Sequence, residues 1–207
     1  MQLPELINSN DPAWHLVQEW QQQASNYIEI LPKTQQQAEQ TLLAIQVTTR
    51  STLGAIIYET GGILVNHGWL RILGSGSERL NRRLDTWNQQ IQSDGFLLIA
   101  DDVLGGYFAI NSGAFEGSLG DVFYFAPDTM AWESLDIGYS DFIYWVFCGE
   151  IDQFYAGFYW TNWQHDIANL KTDEVFSFMP FLYTAEGKDI ENVSKKAVPI
   201  LEDFQFK

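Results

Sequence analysis

The sequence has little positive charge, one cysteine and no long apolar run. Lys and Arg together number 11 against 27 Asp and Glu, which gives a formal net charge of −16. The single cysteine, Cys148, excludes an internal disulfide, and its apolar neighbours predict a small buried hydrophobe with an inert thiol. No stretch of about 18 uncharged apolar residues occurs, so no membrane span is predicted. Residues 1–20 lack the basic and apolar regions of an export signal, so we expect a cytoplasmic protein.

The few basic residues are also unevenly placed. None lies between Leu84 and Leu170, a stretch that holds 13 acids. An acidic surface repels nucleic acid and anionic membranes, so neither is expected as a partner. The same surface would attract a basic protein, although such charge is also typical of proteins that need it only for solubility.

Signatures of catalysis and of cofactor binding are missing. The three histidines, His15, His67 and His165, lack the paired spacing of a metal site. No GxSxG motif occurs, and no catalytic residue, metal or cofactor is predicted. The run GSGSERLNRR at 74–83 is one candidate anion site, because glycine-rich turns and arginines can bind phosphate. It lacks the flanking strands of a dinucleotide fold, so a loop before a solvated helix face is favoured.

The hydrophobic pattern predicts helices and strands in separate regions. Helices are predicted at 11–25 and after Thr34, whose spacing to Gln37 matches a capping box. A three-stranded meander is predicted at 54–73 and another helix after Ser77. Strands follow at 96–100, 106–111, 121–126, 130–135 and 175–181. A helical run that Gly149 divides begins at Ser140.

This order of elements predicts a single α+β domain over residues 1–207. Its sheet is mostly antiparallel and hairpin-rich, with N-terminal and C-terminal helices on its flanks. The domain is predicted to have a helical start at 1–50, a sheet-rich middle at 51–136, and a helical and aromatic end at 137–207.

The stretch LLIADDVLGGYFAIN, residues 97–111, places two acids and two glycines between apolar runs. Adjacent strand residues point to opposite faces, so Asp101 and Asp102 cannot both face one substrate. The spacing fits neither a calcium loop nor a phosphate loop. We therefore predict a strand, an acidic turn and a second strand, with the acids available to a contact surface.

Several motifs resemble known families. The strings VTTRSTLGAIIYETGGILVNHGWLRILGSGS, GFLLIADDVLGGYFAIN, GDVFYFAPD and YSDFIYW resemble a bacterial family of uncharacterised proteins, domain of unknown function 2625. More distantly, the second half is similar to the SUKH (Smi/Knr-like) superfamily in Gly105 and Gly106 with YFAIN, in Gly120–Asp128, and in Ser140–Tyr144. The distant resemblance implies a SUKH-like α+β fold. It also implies an immunity protein that blocks a toxin, commonly a nuclease, in the cytoplasm.

Three functional hypotheses follow. The first, which we favour, is a non-enzymatic protein-binding module for a basic partner, of the immunity type if that partner is a toxin. Its predicted contact residues are Asp101, Asp102, Glu116, Asp121, Asp128 and Asp136, with an exposed Trp132. The second is a small-molecule binder or hydrolase-like enzyme with an acid–base pocket near Glu59, His67, Arg71 and Asp101. The third is a homo-oligomer that self-associates through an apolar patch in the aromatic C-terminal half.

Overall fold

A seven-stranded antiparallel sheet forms the centre of the computed structural model, which describes residues 1–207. Its strands lie side by side in chain order, and each pairs with the next. They are β1 (Ile28–Leu31), β2 (Gly62–Val65), β3 (Leu70–Leu73), β4 (Phe96–Asp102), β5 (Tyr107–Asn111), β6 (Asp121–Ala126) and β7 (Ala131–Gly138). A separate hairpin consists of β8 (Glu174–Met179) and β9 (Ser194–Pro199). The predicted α+β class and the mostly antiparallel sheet are confirmed.

Helices lie before, between and after these strands along the chain. They are α1 (Leu3–Leu6), α2 (Trp14–Gln23), α3 (Gln35–Ile45), α4 (Thr52–Glu59), α5 (Leu84–Gln90), α6 (Tyr139–Cys148), α7 (Ile151–Phe154), α8 (Trp163–Ala168) and α9 (Ile200–Phe206). Thr34 caps α3 by accepting a hydrogen bond from the backbone N–H of Gln37, as the sequence predicts. Gly149 ends α6 and separates it from α7, which confirms the predicted division.

The sheet is covered on both faces, because alternate strand residues point in opposite directions. Phe108 and Tyr124 face one another across β5 and β6, and the ring of Phe108 lies 5.1 Å from that of Phe142 in α6. The neighbouring pair, Tyr107 and Phe125, points the other way, and the ring of Tyr107 lies 5.1 Å from that of Phe204 in α9. We call these the α6 face and the α9 face. The β8–β9 hairpin covers the α9 face together with α9.

Residues 54–59 differ most from the prediction, because they form a helix and not a strand. GAIIYE was predicted as a strand but lies in α4, whose residues Thr52 to Ile57 are all buried. A helix buried on all sides has no polar face, so its short apolar run resembles a strand. Strand β1 was missed inside the predicted helical start, and the predicted meander contains only β2 and β3.

Two further differences concern the ends of elements. The helix predicted after Ser77 begins at Leu84, because Ser77 and Leu80 instead exchange backbone hydrogen bonds in a tight turn. The predicted helical and aromatic end contains the β8–β9 hairpin, of which the sequence analysis found only β8. Strand β9, with the sequence SKKAVP, was missed because it lacks alternating apolar residues.

Candidate functional site

The two acids of the stretch 97–111 end β4 and are completely buried. Asp101 pairs in register with Arg71 and Tyr107, which places its side chain on the α9 face. Asp102 points to the α6 face, where it contacts Tyr124 and Tyr155. The predicted opposite orientation is confirmed. The prediction that these two acids belong to an exposed contact surface is wrong, because the layers on the two faces of the sheet cover both of them.

On the α9 face, Asp101 binds two buried arginines; we call Arg71, Arg82 and Asp101 the arginine cluster. Nε of Arg71 donates to Oδ1 of Asp101 at 2.6 Å, and Nη2 of Arg82 donates to Oδ2 at 2.7 Å. The same arginines donate to the carbonyls of Glu174 and Thr172, which fastens the start of β8 to the sheet. Two guanidinium groups share one carboxylate, so the cluster carries one excess positive charge.

The pKa of Arg82 is lowered, mainly by burial. Burial lowers the pKa of its guanidinium, the carboxylate of Asp101 opposes that shift, and the positive charge of Arg71 adds to it. From the sequence alone, Arg82 belongs to the candidate anion site at 74–83, for which a loop before a solvated helix face is favoured. Its position in the cluster depends on the turn at Ser77–Leu80 and on the path of the chain before β8, neither of which the local pattern indicates.

On the α6 face, Asp102 closes the turn between β4 and β5. Its Oδ1 accepts from the backbone N–H groups of Leu104 at 2.9 Å and Gly106 at 2.8 Å. Its Oδ2 accepts from the hydroxyls of Tyr124 at 2.8 Å and Tyr155 at 3.0 Å. A Cβ on Gly106 would lie 2.4 Å from Oδ2 of Asp102, so only glycine fits here. The acid pair is therefore structural on both faces.

Substituting Asp102→Asn should change how stability depends on pH. Burial raises the pKa of Asp102 in the folded protein above its ordinary value of 3.8, although the hydrogen bonds from Gly106 and the tyrosines oppose the shift. The folded state therefore binds this proton more tightly than the unfolded chain. The resulting stabilisation is complete below the unfolded pKa and is lost as pH rises through the folded pKa.

Because Asn does not titrate, the free energy of unfolding of the wild type minus that of the variant should fall as pH rises from about 3.5 to about 7. Urea unfolding of both proteins across this range measures the difference. A difference that stays constant or grows with pH contradicts the assignment.

The predicted small-molecule pocket does not form from all four of its residues. His67 and Arg71 line one cavity of about 270 Å³, but Asp101 does not line it. Glu59 ends α4 before β2, where it pairs with Lys33 at 2.8 Å, whereas His67 follows the other end of β2 and stacks on Tyr27. The prediction is therefore wrong for Glu59, and the buried Asp101 serves the arginine cluster.

The remaining predicted contact acids lie in or beside β6 and β7, at the open edge of the sheet. Strand β7 pairs only with β6, so its outer backbone is free. Glu116 lies in the loop before β6, Asp121 begins β6, Asp128 lies in the β6–β7 turn, and Asp136 lies in β7. The structure adds Glu133, which is exposed in β7 and which the sequence analysis left out. We call these five acids and Trp132 the acidic edge surface.

None of the five acids of the acidic edge surface makes an ion pair. Glu116, Glu133 and Asp136 are exposed, and Asp121 and Asp128 are half-buried. Trp132 is half-buried rather than exposed, because its ring packs against Phe115 at 4.6 Å and Phe125 at 5.5 Å. The contact with Phe115 holds the loop that carries Glu116 beside β7. Trp132 therefore lies on the α9 face, whereas Glu133 pairs in register with Tyr124 and points to the α6 face.

Other candidate sites are less developed. In the run at 74–83, Arg79 pairs with Glu29, and Arg83 pairs with Asp85 at 2.6 Å. No group of three or more His, Cys, Asp or Glu side chains is placed to hold a metal ion.

None of the helices combines the length and the apolar character needed to cross a bilayer. Met179, Tyr183 and Phe206 are exposed by 59%, 43% and 62%, and self-association through them stays a prediction.

Comparisons with known proteins agree on one family. The model of the family described as "Protein of unknown function DUF2625" matches residues 3–203. The chain is 44% identical to the uncharacterised protein YbfG of Escherichia coli (strain K12) over 207 residues, which cover 99% of this chain and 94% of that protein. It is 39% identical to an uncharacterised protein of Haemophilus influenzae (strain ATCC 51907 / DSM 11121 / KW20 / Rd) over 209 residues, which cover 98% of this chain and 92% of that protein. No solved structure matches the chain significantly.

Proposed function

This chain belongs to the DUF2625 family of proteins of unknown function, and we propose that it is a protein-binding module whose acidic edge surface holds a basic partner protein. The observation that carries the proposal is the set of five carboxylates without ion-pair partners along one open sheet edge. Asp101, Asp85 and Glu59, which are buried or half-buried elsewhere in the protein, are paired with cations, whereas Asp102 and Asp166 make no ion pair and are hydrogen-bonded inside the protein instead. The five edge acids are left for a cation from outside.

The acidic edge surface has features of a binding interface as well as the charge that keeps a protein soluble. Protein interfaces are enriched in aromatic residues, and Trp132 with Phe115 supplies an aromatic contact on the α9 face of this edge. At the same time Asp136 has a φ of 54°, and the β6–β7 register shifts near Asp121. Such irregularities and edge charges discourage generic strand pairing. A partner that brings basic side chains is therefore favoured over one that adds only a strand.

The partner class we propose is a basic toxin, of the kind that must bind phosphates and so carries a cationic cleft. An acidic surface would occupy such a cleft and would also speed the encounter through long-range attraction. This immunity-type role includes a cytoplasmic location, where a toxin that acts on nucleic acid would be met. The sequence resemblance to the SUKH superfamily implies the same role.

The proposal is tested by capturing partners from the native cell lysate on the immobilised full chain. We expect a basic protein to be retained at about 50 mM salt and to be largely released at about 500 mM, because salt screens exposed charges. Mass spectrometry identifies the retained protein. Retention that does not depend on salt, or retention only of acidic proteins, contradicts the proposal.

A further inference from the structure

A second cavity, of about 350 Å³, is lined by Arg82 but by neither Arg71 nor His67. Its lining includes Arg82, Thr86, Trp87 and Gln90 from the chain around α5, and Asp173 and Ile200 from the layer on the α9 face. Cζ of Arg82 lies 5.5 Å from the centroid of the Trp87 ring, so these two side chains are direct neighbours. The cavity is separate from the acidic edge surface, and its role does not depend on the function proposed above.

Two hydrogen-bond donors of this lining have no partner. Arg82 and Trp87 are 6% and 3% exposed, and neither Nε of Arg82 nor Nε1 of Trp87 is hydrogen-bonded within the protein. Arginine and tryptophan side chains can only donate, so these two groups cannot satisfy each other. Buried polar groups without partners are rare in folded proteins. Both nitrogens are closed to a water-sized sphere in this structure, so an acceptor in the cavity would reach them after a shift of the Arg82 and Trp87 side chains.

The local charge favours an anionic acceptor over a neutral one. The arginine cluster holds two guanidinium groups and one carboxylate, and Arg82 is the member that lines this cavity. The one carboxylate in the lining, Asp173, is exposed and makes no ion pair. Hydrogen bonds from a guanidinium to an anionic oxygen are about twice as strong as those between neutral groups.

We propose that this cavity binds a small oxyanion, a carboxylate or a phosphate group, whose oxygens accept hydrogen bonds from Arg82 and Trp87. The excess positive charge of the arginine cluster is then balanced. Thr86 and Gln90 supply polar side chains at the same cavity. Ile200 supplies apolar surface for the rest of a small organic anion.

The test uses the indole N–H signals of the full chain, which contains eight tryptophans. A ¹H–¹⁵N correlation spectrum is recorded while inorganic phosphate or acetate is added to about 20 mM at constant ionic strength. Trp87→Phe assigns the Trp87 signal. We expect this signal to move downfield and saturate with at least one anion, because its N–H gains an acceptor. The Trp69 indole is also buried without a partner but does not line this cavity, so its signal serves as an internal control.

Comparison of the two anions identifies the ligand class: saturation only with phosphate assigns a phosphate site, and saturation with acetate assigns a carboxylate site. Arg82→Met should weaken the affinity by at least about tenfold, whereas the exposed Arg50→Met should not change it. Absence of saturation with both anions in the wild type overturns the proposal and assigns the two donors to water. Equal shifts of all the indole signals also overturn it. Both of these results come from the wild type and do not require the Arg82 variant to fold.

Discussion

Asp101→Asn should lower the free energy of unfolding by about 3–5 kcal/mol, because it leaves two buried guanidinium groups without a counter-charge. Asp101 is completely buried, and its two oxygens bind Arg71 at 2.6 Å and Arg82 at 2.7 Å. All three side chains are buried, so solvent screens the two positive charges poorly. The arginines also hold the carbonyls of Thr172 and Glu174, so the β8–β9 layer should loosen with the cluster.

Chemical denaturation of the wild type and the variant at neutral pH measures this loss. Asp128→Asn is the matched control, because Asp128 is half-buried and unpaired and should change stability by no more than about 0.5 kcal/mol. Arg82→Met should cost less than Asp101→Asn, since it leaves one arginine balanced by one carboxylate. The account of the cluster is contradicted if Arg82→Met is the more damaging change, or if Asp101→Asn behaves like the control.

Reversing the charge of the acidic edge surface should weaken binding of the basic partner by at least about 100-fold. The variant carries lysine in place of the five acids Glu116, Asp121, Asp128, Glu133 and Asp136. Each reversal adds two positive charges, so the formal net charge changes from −16 to −6. Like charges would then meet at the partner's cationic surface, which lowers the association rate as well as the affinity.

The fold should survive this change, because none of the five side chains is buried or ion-paired. Circular dichroism and thermal unfolding of the variant check that point. A control variant with the same net charge places lysine at five exposed acids outside the surface, Glu19, Glu78, Glu150, Glu186 and Glu202. If net charge alone determines binding, the two variants weaken equally. If the acidic edge surface determines it, only the first variant does.

The central sheet is predictable where short apolar runs are separated by turns that contain Gly, Asn, Asp or Pro. Strands β4 to β7 follow from this pattern, and the opposite orientation of Asp101 and Asp102 follows from their adjacency alone. Their burial does not follow, because it depends on layers that come from α6–α7 and from β8–β9. These layers are distant in sequence, and no local pattern shows which face they cover.

The site was only partly predictable for the same reason. The lack of basic residues over 84–170 predicts unpaired acids, and five of them do lie at one edge. The partners of Asp102, however, are Tyr124 and Tyr155, which are 22 and 53 residues away. Arg82 is one of four arginines at 71–83, and only the tertiary fold distinguishes the buried Arg71 and Arg82 from the ion pairs that Arg79 and Arg83 make.

The most direct test of the central claim is the dissociation constant of the captured basic partner, measured for three proteins at low and high salt. These are the wild type, the variant reversed at the acidic edge surface, and the control variant of equal net charge. We predict that the wild type and the control variant bind alike and lose affinity with salt, while the edge variant binds at least about 100-fold more weakly at low salt. Equal affinities for the two variants at low salt would show that the acidic edge surface is not where the partner binds.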